Sequence, residues 1–210
     1  MYLPNHFQIH DDERIIDIIS SYPFATLMSF DEMGEPFFSH VPLAVKKKPS
    51  GFSLLGHVAK RNPQWRHFQS TAKVKVIING PQTYITPKWY RSGRDVPTWN
   101  YVAIHLDGRA QLIEDFDGLV GILKTLTLKF ESGSKSPWEF ELSDDLLTPE
   151  TLSSAIVGFE IHVEKINAKF KLSQNRVPED RQGIIEGLGQ RTDEMSHTIA
   201  EFMRQYGSET

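Results

Sequence analysis

The sequence contains no cysteine among its 210 residues. Disulfide bonds, thiolate metal ligands and thiol nucleophiles are therefore excluded. The sequence also lacks an apolar run of the roughly 20 residues that a membrane-spanning helix needs. Its first residues, MYLPNHFQIHDDER, include acidic side chains where a secretory signal peptide has basic ones. These absences lead us to expect a cytoplasmic protein with no membrane partner.

An excess of positive charge is absent as well. The chain has 23 lysines and arginines against 27 aspartates and glutamates, for a formal net charge of −4. This balance argues against a protein that coats nucleic acid, although it leaves room for a local basic patch. The run Lys46-Lys47-Lys48 precedes Pro-Ser-Gly, and we interpret it as a solvated loop tip.

Hydrophobic periodicity predicts a mainly β fold with inserted helices. Helical spacing of isoleucines predicts a helix over 12–21, and the segment FDGLVGILKTLTLKFES predicts an amphipathic helix over 116–131. Apolar runs and alternating patterns predict strands in FATLMSF, EPFFSHVPLAV, GFSLLG, AKVKVIING, QTYIT, YVAIHLDGRAQLIE and SAIVGFEIHVEKINAKFKL, with FATLMSF and EPFFSHVPLAV forming a hairpin. We expect six or seven mostly antiparallel strands that close into a small barrel. We expect a barrel domain over 1–176 and a helical segment over 177–210 packed on it.

The stretch LLGHVAKRNPQW, residues 54–65, ends a predicted strand in a glycine and leads into paired cations. Asn62-Pro63 is a helix-start signal, and free backbone N–H groups beside the Lys60 ammonium could hold an anion. Gly56 would let the backbone approach such a ligand closely. The alternative is a turn whose charges, Lys60 and Arg61, face water.

The segment PQTYITPKWYRSGRDVPTWNY concentrates aromatic side chains in a long predicted loop. Its aromatic residues and interleaved arginines are Trp89, Tyr90, Trp99, Tyr101, Arg91 and Arg94. Flat rings beside guanidinium groups suit a planar, anionic ligand. The same residue types are enriched at subunit interfaces, and the two interpretations are compatible.

The segment FKLSQNR lies where the last long strand is predicted to end. Its hydrogen-bonding side chains are Lys171, Ser173, Gln174, Asn175 and Arg176. Amide groups there could bind the polar edge of a heterocycle, because they both donate and accept. The alternative is turn chemistry before Pro178.

Neither metal binding nor direct DNA binding has a clear signal. The histidines are scattered without ligand spacing, so we expect no metal site. The tail could form two short helices that meet at Leu188-Gly189, as in a helix-turn-helix. Its second helix carries acidic residues where a helix entering a phosphate-lined groove should be basic, so we interpret the pair as a packing unit.

Seven segments in order give the chain a family resemblance. They are MYLPNHF, PFATL, SHVPL, GHVAKRNPQW, GPQTYITPKWY, VPTWNYVAIHLDG and KLSQNR. Together they resemble the PaiB family, described as FMN-binding negative transcriptional regulators, over about residues 1–206. The family has the FMN-binding split-barrel fold shared by pyridoxamine-phosphate oxidases and flavin reductases.

The resemblance implies a homodimer with FMN in a groove at the subunit interface. By position it implies that Lys60 holds the FMN phosphate, with backbone from Gly56, His57, Val58 and Ala59. It also implies that Trp99, Asn100 and the strand end with Lys171, Ser173, Gln174 and Asn175 approach the flavin. The chain lacks the substrate-phosphate arginine pattern of pyridoxamine-phosphate oxidases, so that activity is not implied.

The activity itself stays open at this point. One hypothesis is an oxidoreductase-like or flavin-sensing protein linked to transcriptional repression. A second is a regulator that binds DNA directly. A third is a haem-binding split barrel, which would need His57, His105 or His162 as an axial ligand.

Overall fold

The computed structural model describes residues 1–93, 96–140 and 148–206. The chain divides into two compact units. The sheet unit comprises Asp12–Ile78 and His105–Ile166, and the terminal unit comprises Met1–Asp11, Asn79–Ile104 and Asn167–Thr210. The predicted division into 1–176 and 177–210 stays a prediction.

The described residues form eight strands and six α-helices. The strands are β1 (Gln8–Ile9), β2 (Phe24–Phe30), β3 (Pro36–Pro42), β4 (Ala44–Lys47), β5 (Phe52–Ala59), β6 (Lys73–Ile85), β7 (Thr98–Ile113) and β8 (Ile156–Lys171). The helices are α1 (Asp12–Ser21), α2 (Gln64–Ser70), α3 (Phe116–Glu131), α4 (Pro149–Ala155), α5 (Pro178–Gly189) and α6 (Glu194–Tyr206). None of these helices is both long and apolar enough to cross a membrane.

The two helices of the sheet unit that were predicted from periodicity are confirmed. Helix α1 has Asp12 and Glu13 in its first turn, where carboxylates favour the helix dipole, and buries three isoleucines. Helix α3 begins after Asp115, whose Oδ1 accepts a hydrogen bond from the Gly118 N–H at 2.8 Å. This side chain satisfies one of the N–H groups that the first helical turn leaves unpaired.

The strands form one sheet in the order β3-β2-β6-β7-β8-β5-β4, and β1 pairs with β8. The β2–β3, β4–β5 and β5–β8 pairs are antiparallel, as predicted. Strand β1 was not predicted, because two residues, Gln8 and Ile9, are too few to show alternation. The described residues therefore contain eight strands, whereas six or seven were expected.

Helices α5 and α6 of the terminal unit confirm the two helices predicted in the tail. A Cβ at Gly183 would overlap the carbonyl oxygen of Trp89, and a Cβ at Gly187 would overlap the Trp89 ring. The spacing of four residues puts both glycines on one helix face, so their missing side chains make room for Trp89. Helix α6 buries Ile199, Ala200 and Met203, consistent with a packing role for the pair.

Candidate functional site

The predicted anion site lies in the sheet unit, where β5 ends. Strand β5 pairs with β8 through Ala59, whereas its pairing with β4 ends at Leu55. Beyond Ala59 the chain turns, and the Asn62 N–H donates to the Ala59 carbonyl at 2.9 Å. Asn62 Oδ1 accepts from the Gln64 N–H at 3.0 Å, so this residue does act at the start of α2. The helix has only seven residues, so an anion here would depend chiefly on side chains and the turn backbone.

Close packing explains the glycine at position 56, a reason that the sequence did not reveal. A Cβ at this position would lie 2.7 Å from Leu43 Cδ2 and 2.7 Å from Phe159 Cζ. Both distances are shorter than real Cβ contacts, so the fully buried Phe159 ring requires glycine there. The prediction that the backbone of Gly56 and Val58 approaches a ligand stays a prediction.

His57 presents a buried polar atom with no partner. It is opposite Gly158 on β8, so the side chain of His57 lies on the same sheet face as a Cβ at Gly158 would. Helix α3 covers this face, because that Cβ would lie 2.5 Å from Ile122 Cδ1. His57 Nδ1 is buried and has no hydrogen-bond partner among the residues that the structure describes. Burial lowers the pKa of His57, which favours the neutral imidazole. Unpaired buried polar atoms are rare, so this nitrogen is a candidate for contact with a ligand.

Lys60 stands at the turn itself, one residue beyond Ala59. Its Nζ lies 3.0 Å from Glu114 Oε1 and 4.7 Å from the centre of the Trp65 ring. Trp65 Nε1 in turn donates to the Lys60 carbonyl at 3.0 Å. The Lys60 side chain is 34% exposed, so an incoming anion can reach the ammonium in competition with one carboxylate. Arg61 is exposed.

The terminal unit brings the other predicted residues together. Lys171 Nζ donates to the Trp99 carbonyl at 2.7 Å and to Thr98 Oγ1. Ser173 Oγ donates to Asn100 Oδ1 at 3.0 Å, and both side chains are buried. The pairing of these two segments agrees with the resemblance. However, Asn100 and Ser173 use these polar atoms on each other, so in this conformation those atoms are satisfied without a ligand.

The amide side chains of the KLSQNR segment differ in their roles. Gln174 Oε1 accepts from the Leu172 N–H at 2.7 Å, and its Nε2 donates to the Phe170 carbonyl at 2.6 Å. These bonds are the turn chemistry that the sequence left as an alternative. Asn175 is exposed, so its amide is the more accessible of the two. Contact of either residue with flavin stays a prediction.

The aromatic segment separates into packing residues and exposed ones. Trp89 packs against the α5 glycines, and the Arg176 guanidinium carbon lies 4.7 Å from the centre of the buried Tyr90 ring. Trp99 is exposed and meets Tyr84 edge to face at 6.2 Å between ring centres. Arg94 lies outside the described residues.

Lys46 and Lys47 are exposed, as expected for a solvated lysine run, but they lie in β4 rather than in a loop tip. Lys46 and Lys48 bind the Glu160 carboxylate at 2.9 and 2.7 Å. Burial alone would raise the pKa of Glu160, but hydrogen bonds from Lys48, Lys46 and Ser53 outweigh burial and hold this pKa at about 2. These lysines therefore anchor β4 to β8, a role that the sequence pattern could not show.

Sequence reasoning also missed Lys169, which the structure buries among aromatic rings of the terminal unit. Its position in an alternating strand is ordinary, so no local signal pointed to it. Within residues 1–93, 96–140 and 148–206, no three histidine, aspartate or glutamate side chains come together as a potential metal site.

Comparison with known proteins gives a family and a fold. Residues 1–165 match a family described as "Putative FMN-binding domain". The chain is 38% identical over 205 residues to "Protease synthase and sporulation protein PAI 2" of Bacillus subtilis, covering 97% of this chain and 96% of that protein.

Two solved structures resemble the chain in fold alone. The FAD and haem binding protein from Mycobacterium smegmatis has a TM-score of 0.58 and 18% identity, over 78% of this chain and 73% of that one. The flavocytochrome Anf3 from Azotobacter vinelandii has a TM-score of 0.59 and 12% identity, over 80% and 72%. The predicted mainly β, split-barrel fold is confirmed.

Proposed function

The chain belongs to this family of FMN-binding domains, and from that premise we propose that it holds the FMN phosphate at the end of β5. The phosphate is a dianion, and Lys60 is an accessible ammonium at the turn that follows the strand. A phosphate oxygen can replace Glu114 as the acceptor of the Lys60 hydrogen bond without any change in the backbone.

The observation that carries this proposal is the Nδ1 of His57, three residues before Lys60, which has no hydrogen-bond partner in the described parts of the chain. Burial lowers the pKa of His57 and so favours the neutral imidazole, whose Nδ1 can accept or donate one hydrogen bond according to its tautomer. A polar group of FMN bound at the strand end would satisfy it. The residues at this place therefore fit the cofactor.

When bound, the flavin would supply redox chemistry. The chain's own contribution is to bind and orient it: Lys60 neutralises phosphate charge, and Trp65 restricts the lysine through its hydrogen bond to the Lys60 carbonyl. Whether this serves turnover of a substrate or sensing of flavin is decided by a simple measurement. A flavoprotein reductase should lose its visible flavin absorbance when a reduced nicotinamide is added, whereas a sensor should not.

The experiment that tests FMN binding compares FMN with riboflavin, which has the same ring system but lacks the phosphate. We expect FMN at 100 times its dissociation constant to add about 2.7 kcal/mol of stability, or about 5–11 °C in Tm. Lys60→Met should bring the affinity for FMN close to that for riboflavin. Arg61→Met is the matched control, and it should keep the preference for FMN. Equal affinity of the unaltered protein for both flavins would contradict the phosphate assignment.

A homodimer is the assembly that we propose. Strand β3 is at the edge of the sheet, and Phe24 and Phe38 of the β2–β3 hairpin are 67% and 53% exposed. Gln64 Nε2 already donates to the Phe37 carbonyl of β3 at 3.1 Å, so part of this edge is covered. An edge strand with exposed aromatic rings is a typical surface for pairing with another chain. Light scattering should give twice the chain mass of 24.0 kDa. Phe38→Ser should shift the protein toward the monomer, and a monomeric unaltered protein would refute the proposal.

We propose a link to transcription because the sequence segments resemble the PaiB family of negative transcriptional regulators; the relative from Bacillus subtilis is named as a protease synthase and sporulation protein. Direct contact through α6 has little electrostatic support, because Glu194 opens the helix and Arg191 lies 3.6 Å from Asp193. We therefore propose regulation that depends on flavin rather than on groove binding by α6. Salt-dependent binding to specific DNA that is lost on Arg204→Glu would overturn this view.

A further inference from the structure

Two lysines at the terminal-unit end of β8 lie on one face of the strand, two residues apart. Lys169 is only 6% exposed. Its Nζ donates to the Tyr2 carbonyl at 3.1 Å and lies 5.3 Å from the centre of the Tyr101 ring. The rings of Tyr2 and Phe7 lie at 5.5 and 5.8 Å.

Lys171 is also held by neutral groups. Its Nζ donates to the Trp99 carbonyl at 2.7 Å and to Thr98 Oγ1. In the part of the chain that the structure describes, neither Lys169 nor Lys171 has a carboxylate within ion-pair distance. The other lysines discussed above, Lys46, Lys48 and Lys60, each have one.

The two charges reinforce each other. Residues two apart on a strand lie about 7 Å apart, so the ammonium groups share one local positive field. Burial and the charge of Lys169 lower the pKa of Lys171. Removal of a cation from water is unfavourable unless an anion or enough hydrogen-bond acceptors compensate it. A bound anion would therefore stabilise the two ammonium groups.

An open groove lies beside this pair in the same unit. It measures about 340 Å³ and is lined by Asn79 and Gln82 of β6 and by Trp99 and Tyr101 of β7. Two residues that line the groove also contact the lysines: the Tyr101 ring contacts Lys169, and the Trp99 carbonyl accepts a hydrogen bond from Lys171. The groove therefore lies next to the lysine pair. The volume is at the low end of the about 300–1,000 Å³ typical of ligand pockets, which limits the occupant to a small molecule.

We propose that this groove and its two lysines bind a small aromatic carboxylate or phosphate ester. The ring would stack against Trp99 or Tyr101, and the anionic group would reach the ammonium of Lys171 and the field of Lys169. Asn79 and Gln82 would bind polar substituents on the ring. The site goes beyond the proposed function, because it needs neither FMN nor the end of β5.

Isothermal titration calorimetry with benzoate and with benzamide tests the assignment. The two probes have nearly the same shape, but only benzoate carries a charge. We expect saturable binding of benzoate, at least about tenfold tighter than benzamide, with affinity that falls as sodium chloride is added. Lys171→Met and Lys169→Met should each weaken benzoate binding about tenfold or more, with little effect on benzamide. Lys88→Met, at an exposed lysine of the same unit, should change neither.

Three outcomes would overturn the inference. They are equal affinity for benzoate and benzamide, unchanged benzoate affinity in Lys171→Met, and loss of benzoate binding when saturating FMN is present. The last would assign the lysines to the flavin instead. If Lys169→Met fails to fold because Lys169 also holds the N-terminal segment, Lys171→Met and the salt dependence still decide the question. Failure of FMN binding at Lys60 would leave the benzoate result intact, so the two proposals fail separately.

Discussion

Glu114→Gln should tighten FMN binding if Lys60 holds the phosphate. In the structure, Lys60 Nζ is bound to Glu114 Oε1 at 3.0 Å, so the phosphate must compete with this carboxylate. The substitution removes the competing charge but keeps a side chain of the same shape. Riboflavin has no phosphate, and its affinity should not change.

The expected size of the effect follows from the exposure of the pair. The side chains of Lys60 and Glu114 are 34% and 48% exposed, so water screens their attraction. Exposed pairs contribute about 0.2–1 kcal/mol, which corresponds to FMN affinity that rises by about 1.4- to 5-fold. The gain should shrink at high salt, because screening weakens the competing pair.

Quenching of flavin fluorescence during titration measures this difference directly. Lys60→Met supplies the control: in that background, Glu114→Gln should have no effect, because the competing pair no longer exists. Unchanged or weaker FMN affinity in Glu114→Gln would refute the reasoning. Equal tightening of riboflavin would also refute it, since the effect would then not pass through the phosphate.

The remaining predictions concern stability. Gly187→Ala should lower the free energy of unfolding by up to about 2 kcal/mol, because overlap with Trp89 costs about 1–3 and helix propensity returns about 1. Gly121→Ala, with open space around its Cβ, should instead raise Tm by a few degrees; a rise in both variants by calorimetry would contradict the packing argument. Glu160 has a folded-state pKa of about 2 against an ordinary 4.5, so it contributes about 3 kcal/mol above pH 4.5, lost as pH falls toward 2. In urea titrations, the Glu160→Gln variant should be much less stable than the unaltered protein at pH 7, and the two proteins should have nearly equal stability at pH 2. Gly56→Ala should cost about 1–3 kcal/mol in the same assay, and a neutral result would show that the sheet yields there.

Much of the local structure could be predicted because its causes lie close together in the chain. The bounds of α1 and α3 follow from apolar spacing and from acidic residues in or before the first turn. The end of β5 and the start of α2 were likewise readable, since the strand, Lys60 and Asn62 are neighbours in sequence. The family resemblance added the identity of the cofactor, because it depends on the order of several such segments.

The candidate site was predictable in position but not in its contacts. The sequence placed a cation at the turn, yet its carboxylate partner Glu114 is 54 residues away. It placed amide donors at the end of β8, but could not show that the Gln174 amide bonds to the backbone of Leu172 and Phe170 or that Ser173 bonds to Asn100.

By itself, the sequence determined the mainly β character, the two long amphipathic helices of the sheet unit, the absence of thiol chemistry and the family. Only the tertiary structure decided which polar groups are left for a ligand. Among the described residues, His57 Nδ1 has no hydrogen-bond partner, Lys60 pairs with Glu114, and Lys169 donates to the Tyr2 carbonyl across 167 residues of chain. The reason is physical: periodicity and capping act within a few residues, whereas pairing of charges and burial depend on which distant segments the sheet brings together.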